Sequence, residues 1–211
     1  MQIVFDHICT YGGLRDFSLE LQAEGCISLY DPSEKLSASL LSTLVGLEDI
    51  CGGKLSLDGI DYADYWQNHQ LLETFGYVFD EGIMLSNLTL KENLLLPWRK
   101  RFDNESDKLF ETELQNWLSR LELNLDINLR PALVSAAERK FMGFVRALML
   151  KPRLLLIDDP YYLLNKGERQ KLNGFLRELK RNVNLLIASA DDDFIIGFAS
   201  RVISLQDVSP A

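Results

Sequence analysis

At 211 residues the chain can bury one substantial core, and an apolar share of 47% beside 25% charged residues is the balance of an ordinary globular protein. A net charge of −9 leaves no basic stripe for a phosphate backbone, which argues against nucleic acid as a partner. Cys9, Cys26 and Cys51 have no metal-type spacing and only His7 and His69 accompany them, so a zinc site is not expected and the thiols read as buried and reduced. No apolar run approaches a membrane span, and Met1-Gln2-Ile3-Val4-Phe5-Asp6 is no signal peptide, so a cytosolic protein is expected.

Residues 2–9 and 16–22 alternate apolar and polar, predicting two half-buried strands around the turn Tyr11-Gly12-Gly13. A third strand over 25–30 runs into the loop Asp31-Pro32-Ser33-Glu34-Lys35-Leu36. A helix follows, with Leu40, Leu41, Leu44, Val45 and Leu47 on one side. Gly52-Gly53 precedes a short strand from Lys54 to Leu57, closed by a turn at Asp58-Gly59. Gly76-Tyr77-Val78-Phe79 is the next buried strand and ends at Asp80.

From about 88 to 150 the pattern is helical. Thr89 and Glu92 have capping-box spacing, Pro97 is expected to end that first helix, and Arg99 to Asp107 reads as a solvated connection. Leu109 to Leu121 is amphipathic, and Pro131 breaks the chain before a last helix ending near Leu150. Strand 154–158, helix 166–180, strand 184–188, a short helix from Asp191 and strand 202–205 complete the chain. Strands alternating with helices predict an α/β fold with a doubly wound, mainly parallel sheet, a core over 1–87 and 151–211, and a helical insertion subdomain over about 88–150.

The most informative stretch is Arg153-Leu154-Leu155-Leu156-Ile157-Asp158-Asp159-Pro160. Consecutive apolar residues suit a strand covered on both faces, and the acids fall where an α/β sheet presents its ligand site. Such a carboxylate pair either organises Mg²⁺ beside a nucleotide phosphate or is a strand end capped by solvated acids.

The order of these elements resembles an ABC transporter ATPase subunit, with its P-loop NTPase-like fold and N-terminal antiparallel strand layer. The stretches that carry the resemblance are Gly46-Leu47 with Gly53-Lys54-Leu55-Ser56-Leu57-Asp58-Gly59, then Gly76-Tyr77-Val78-Phe79, and Arg146 to Arg153 leading into the acid-ended strand. The resemblance implies a phosphate loop G-x-x-x-x-G-K-[ST], whose backbone N–H groups curl around phosphate. Here Asp31 and Leu36 stand at its outer glycines, Glu34 replaces a further glycine, Ser37 stands for the lysine and Ala38 for the metal-binding hydroxyl. Two carboxylates are thus expected to face a triphosphate, with Lys35 the nearest cation on the loop.

Other family positions have changed too. The glutamine before the helical insertion corresponds to Asp80, and the switch histidine to Ala190. The L-S-G-G-Q signature, which clamps the partner subunit's ATP, reads Val134-Ser135-Ala136-Ala137-Glu138. Asp158 keeps the metal-acid position, Asp159 stands for the catalytic glutamate, and Tyr11 matches the aromatic that stacks on adenine. Ile83, Met84 and Leu85 lie where the family's groove receives a helix of the membrane permease; they either meet that partner or tuck into the local core. The run from Gly82 to Thr89, with Glu92-Asn93, looks most like ATPases of mammalian-cell-entry-type lipid transporters.

The leading expectation is therefore a catalytically degenerate subunit with no nucleotide or magnesium. It acts structurally beneath a permease on the inner face of the membrane and pairs with a second ATPase subunit. The alternatives are a weak but genuine ATPase using Asp158, Asp159 and Tyr11 with ATP and Mg²⁺, and a free-standing interaction protein.

Overall fold

The structure, a computed structural model, describes residues 1–33, 35–67, 71–102 and 107–205. The chain opens with β1 (Gln2–Thr10), β2 (Phe17–Gln22), β3 (Cys26–Tyr30), helix α1 (Lys35–Leu44), β4 (Ile50–Leu57) and β5 (Ile60–Asp61). Next come α2 (Tyr62–Gln67), α3 (Leu71–Thr74), β6 (Phe75–Val78), α4 (Leu90–Arg101), α5 (Asp107–Arg120) and α6 (Ala136–Met149). It closes with β7 (Leu154–Asp158), α7 (Lys166–Leu179), β8 (Asn184–Ser189), α8 (Asp192–Phe198) and β9 (Arg201–Ser204).

Two sheets result. One is antiparallel in the order β2-β1-β4-β5; the other has the order β6-β7-β8-β3-β9, and every pairing in it is parallel. Successive residues of a strand point to opposite faces. Cys26, Leu155 and Ile157 accordingly join a cluster with Trp98, Phe110, Phe144 and Phe175 of the helices. Ile27, Leu154 and Leu156 join a second cluster with Ile3, Phe5 and Leu57 of the antiparallel layer and Leu40 and Leu44 of α1. Both faces of the parallel sheet are covered, which is why β7 reads as an unbroken apolar run.

The capping box expected at Thr89 is present: its hydroxyl accepts the Glu92 N–H at 3.1 Å, and its own N–H donates to the Glu92 carboxylate at 2.8 Å. Pro97 does not end that helix, which runs on to Arg101. Buried Leu94 and Trp98 hold the turn around the proline in place, so packing overrides the local breaker. The expected connection from Arg99 to Asp107 therefore begins inside α4, and its residues 103–106 lie outside the described part of the chain.

β4 starts at Ile50 rather than Lys54, because Cys9 pairs with Gly52 across a bulged stretch of the β1–β4 ladder. Gly53 adopts φ +79°, and a Cβ there would sit 2.2 Å from the His7 carbonyl oxygen; only glycine fits that approach. Leu47 is not on the buried side of α1: the helix stops at Leu44 and Leu47 is 61% exposed. Of the thiols only Cys26 is buried, where burial pushes it up to about 11; Cys9 is half-buried and Cys51 exposed. Among the described residues no helix is long and apolar enough to cross a membrane.

What this architecture positions is one edge. β3, β6, β7 and β8 run parallel, so Asp31, Asp80, Asp158 and Ala190 arrive together at their carboxyl ends, the crevice where open α/β sheets bind ligands.

Candidate functional site

The loop after β3 closes on its own carboxylate. Asp31, 1% exposed, accepts the Ser33 N–H at 2.9 Å and the Ser33 hydroxyl at 2.7 Å through Oδ1. Its Oδ2 accepts the Leu36 N–H at 2.8 Å and the Ser37 N–H at 3.2 Å. Burial pushes this carboxyl up, but the bonds from Ser33, Ser37 and Leu36 outweigh it, and its pKa falls below the ordinary value. The expectation that Asp31 faces a triphosphate is corrected: the carboxylate turns inward and takes N–H groups that a phosphate on this loop would use. Ser37 is buried, Leu36 and Ala38 are half-buried and Lys35 is exposed, while Glu34 lies outside the described residues.

Further along the same sheet edge the acids have fewer donors. Ser37, Ala38, Asp80, Asp158, Asp159 and Ser189 line a cavity of about 270 Å³. Asp158 accepts the Tyr77 hydroxyl at 3.1 Å. Burial first, then the charge of Asp80 and, less, of Asp159, raise its carboxyl to about 6, against the Tyr77 bond and the Lys140 ammonium. Asp159 stands at φ +28° and accepts the Tyr161 N–H at 3.2 Å, and Asp80 accepts the Glu81 N–H at 2.7 Å. Among the described residues no three His, Cys, Asp or Glu side chains are placed to hold a metal, and Ala38 offers no oxygen.

Sequence reasoning missed Lys140. Its side chain is buried on α6, and Nζ donates to the Asp159 carbonyl at 2.5 Å and the Tyr162 carbonyl at 3.1 Å. Burial brings the ammonium down to about 8, although Asp159, Asp80 and Asp158 all favour its charge. A signal was present: Lys140 interrupts the stripe Ala137, Phe141, Phe144, Val145, Leu148 that α6 buries, and a lysine there needs a polar destination.

The remaining candidates lie elsewhere. Tyr11 is 79% exposed on the β1–β2 turn. Ser135 is the N-cap of α6: its hydroxyl accepts the Glu138 N–H at 3.1 Å and its N–H donates to the Glu138 carboxylate at 2.7 Å. Val134 and Ala136 are half-buried and Ala137 buried. Ala190 follows β8, just before Asp191 caps α8. Ile83 and Leu85 are 52% and 54% exposed, while Met84 packs on the helical cluster. They border an apolar groove of about 390 Å³ with Tyr77, Phe79 and Pro97. Gly82, at φ +62°, lets this segment lie against α6, since a Cβ would come within 2.5 Å of the Lys140 nitrogen. The structure thus gathers Ser37, Ala38, Asp80, Asp158 and Asp159 at one cavity; Tyr11, residues 134–138 and residues 83–85 do not line it.

A parallel sheet flanked by an antiparallel layer and helices, with its acids at the strand ends, defines the P-loop NTPase-like fold of ABC ATPases. Residues 14–162 match the family described as ABC transporter, and the chain belongs to that family. The solved structure of the ATP-binding cassette MJ0796, a dimer bound to ADP and Pi, shares this fold at TM-score 0.83 and 21% identity, over 97% of this chain and 94% of that one. The sulfate/thiosulfate import ATP-binding protein CysA of Bacillus cereus is 26% identical over 94% of this chain and 56% of its own length. The molybdenum import ATP-binding protein ModC of Thiobacillus denitrificans is 27% identical over 91% of this chain and 53% of its own. The chain thus spans about half the length of the curated relatives it matches.

These relatives overturn the expectation of a degenerate, purely structural subunit. They carry the names of import ATP-binding proteins, and the similarity extends along nearly the whole chain, so the ATP-binding alternative fits better. Neither name points to lipid transport.

Proposed function

We propose that this chain is an ATP-binding and ATP-hydrolysing subunit of an ABC importer. The observation that carries the reading is the convergence of Ser37, Asp80, Asp158 and Asp159 on one cavity at the carboxyl edge of an ABC ATPase fold. Tyr11 offers its exposed ring to the adenine, and the N–H groups of Leu36 and Ser37 receive phosphate once Asp31 turns out. Asp31 competes for those donors at about 1.5–3 kcal/mol per charge-assisted bond, and no ammonium stands at position 37, so binding is weak. In hydrolysis a water oxygen forms the bond to the γ-phosphorus and the bond to the bridging oxygen breaks. ADP keeps the electron pair, and Asp159 takes the water proton.

The unit is read as one ABC ATPase-like domain whose insertion, about 88–150, carries α4 to α6. Ile83, Met84 and Leu85 at the apolar groove are the seat for a membrane permease on the inner face of the membrane, and a second ATPase subunit completes the assembly.

Titration of the purified chain with labelled ATP and magnesium tests the reading. Saturable binding with phosphate release is expected, lost in Ala38→Phe, which fills the cavity. Asp159→Asn should slow release at unchanged affinity. No saturable binding at millimolar ATP, or full binding by Ala38→Phe, would reject it.

A further inference from the structure

Glu48 lies in the loop after α1 and makes no contact with the acidic cavity, yet it joins the two halves of the proposed nucleotide site. Its Oε1 accepts the Gly12 N–H at 3.0 Å and the Ser39 hydroxyl of α1 at 2.7 Å. Ser39 in turn touches the Thr10 hydroxyl at 3.3 Å, and that hydroxyl accepts the Leu14 N–H at 3.1 Å. Thr10 and Leu14 also close the turn through a backbone bond of 3.0 Å. Thr10 and Ser39 are buried, so the inner bonds of this chain are shielded from competing water, while the Gly12–Glu48 bond lies at the surface. Gly12 reports how tight the approach is: a Cβ there would stand 2.4 Å from the Glu48 carboxylate.

We infer that Glu48 is a positioning residue that fixes the turn bearing Tyr11 against α1, and so sets where an adenine ring meets its aromatic platform. The inference rests on the nucleotide reading above and deepens it. Tyr11 itself is 79% exposed, and the neighbouring glycines leave its backbone free to wander. The Glu48 carboxylate, bonded to both the turn and the helix that begins at the phosphate loop, removes that freedom. Loop ordering of this kind lowers the entropy that base binding must otherwise overcome.

Calorimetric titration of Tyr11→Ala, Glu48→Ala, Glu48→Gln and the Tyr11/Glu48 double alanine variant, with ATP and with inorganic tripolyphosphate, separates base from phosphate. Tyr11→Ala should weaken ATP about 5- to 100-fold, the loss of one stacked base. Glu48→Ala should weaken ATP by a similar factor that adds little in the double variant, with tripolyphosphate affinity unchanged throughout. Glu48→Gln, which keeps an acceptor oxygen for both donors, should behave as the parent. Hydrogen exchange at the Gly12 amide should rise about tenfold in Glu48→Ala and not in Glu48→Gln. Equal loss of tripolyphosphate and ATP in Glu48→Ala, full additivity with Tyr11→Ala, or unchanged Gly12 exchange would overturn the role while leaving the nucleotide site standing. Failure of the parent chain to bind ATP at all would remove both.

Discussion

The carboxyl ends of β3 and β7 each deliver an aspartate to the same edge of the parallel sheet, and the two carboxylates meet opposite fates. Asp31 is fully enclosed but accepts bonds from the N–H groups of Ser33, Leu36 and Ser37 and from the Ser33 hydroxyl, and its pKa falls. Asp158, also raised by burial, has the Tyr77 hydroxyl for a donor and other acids for neighbours, and its pKa rises to about 6. Burial raises both carboxyls, and what separates them is the supply of donors. The β3 end is self-contained, whereas the β7 end stores unfavourable charge that a bound ligand or a proton can relieve.

That contrast breaks most sharply at Lys140, the buried cation beside the acids. Lys140→Met should cost about 3–5 kcal/mol at neutral pH, the usual result of removing one partner from a buried charged set, and urea denaturation measures it. A loss under 1 kcal/mol would mean that the acids are not held by this ammonium.

Next comes the self-contained end. Asp31→Ala strips the loop of its resident acceptor and should destabilise the fold by about 2 kcal/mol. The same change should raise affinity for ATP at least tenfold, because the N–H donors become free for phosphate. The pH dependence has a definite sign. Since Asp31 titrates below its unfolded value, its contribution is complete above about pH 4 and fades as pH falls through the folded pKa. Parallel losses of stability and of ATP affinity would show that Asp31 only shapes the loop.

Asp158 should behave in the opposite sense. Between about pH 4 and 6 the folded protein holds a proton on this carboxyl that the unfolded chain has released, so stability falls as pH rises through that window. Asp158→Asn should add about 2 kcal/mol at pH 7.5 and almost nothing at pH 4, flattening the profile. A gain that is the same at both pH values would break the assignment.

Much of this architecture is visible in the residues because it is set locally. The apolar run Leu154 to Ile157 announces a strand covered on both faces, and Thr89 with Glu92 announces a helix start whose bonds form within one turn. What escapes a linear reading depends on groups distant in sequence. Pro97 stays helical because Leu94 and Trp98 are clamped by the core, and Glu48 matters only because the fold brings Gly12 and Ser39 to it. The inward turn of Asp31 is a subtler case: the residue is visible, but its direction depends on N–H groups that only the folded loop presents. The expectation of a degenerate subunit fails for a related reason. It counts side chains at aligned positions in 31–38 and 134–138, while the similarity to import ATP-binding proteins is spread over the whole chain.

The smallest effect is expected at Ser135, and it tests whether the start of α6 belongs with the self-contained end or with the ligand-responsive one. As an N-cap its hydroxyl satisfies the Glu138 N–H, so Ser135→Ala should cost about 1 kcal/mol, close to the cost of Thr89→Ala at the equivalent cap of α4. Ser135→Asp keeps an acceptor at the cap and adds a charge that the helix N-terminus favours, so stability should stay within a few tenths of a kcal/mol of the parent. If capping is the whole role, ATP turnover of the assembled subunit follows stability, and the aspartate variant works as well as the parent. If the hydroxyl also meets the nucleotide of a second subunit, the aspartate places a carboxylate against phosphate and turnover collapses while the fold stands.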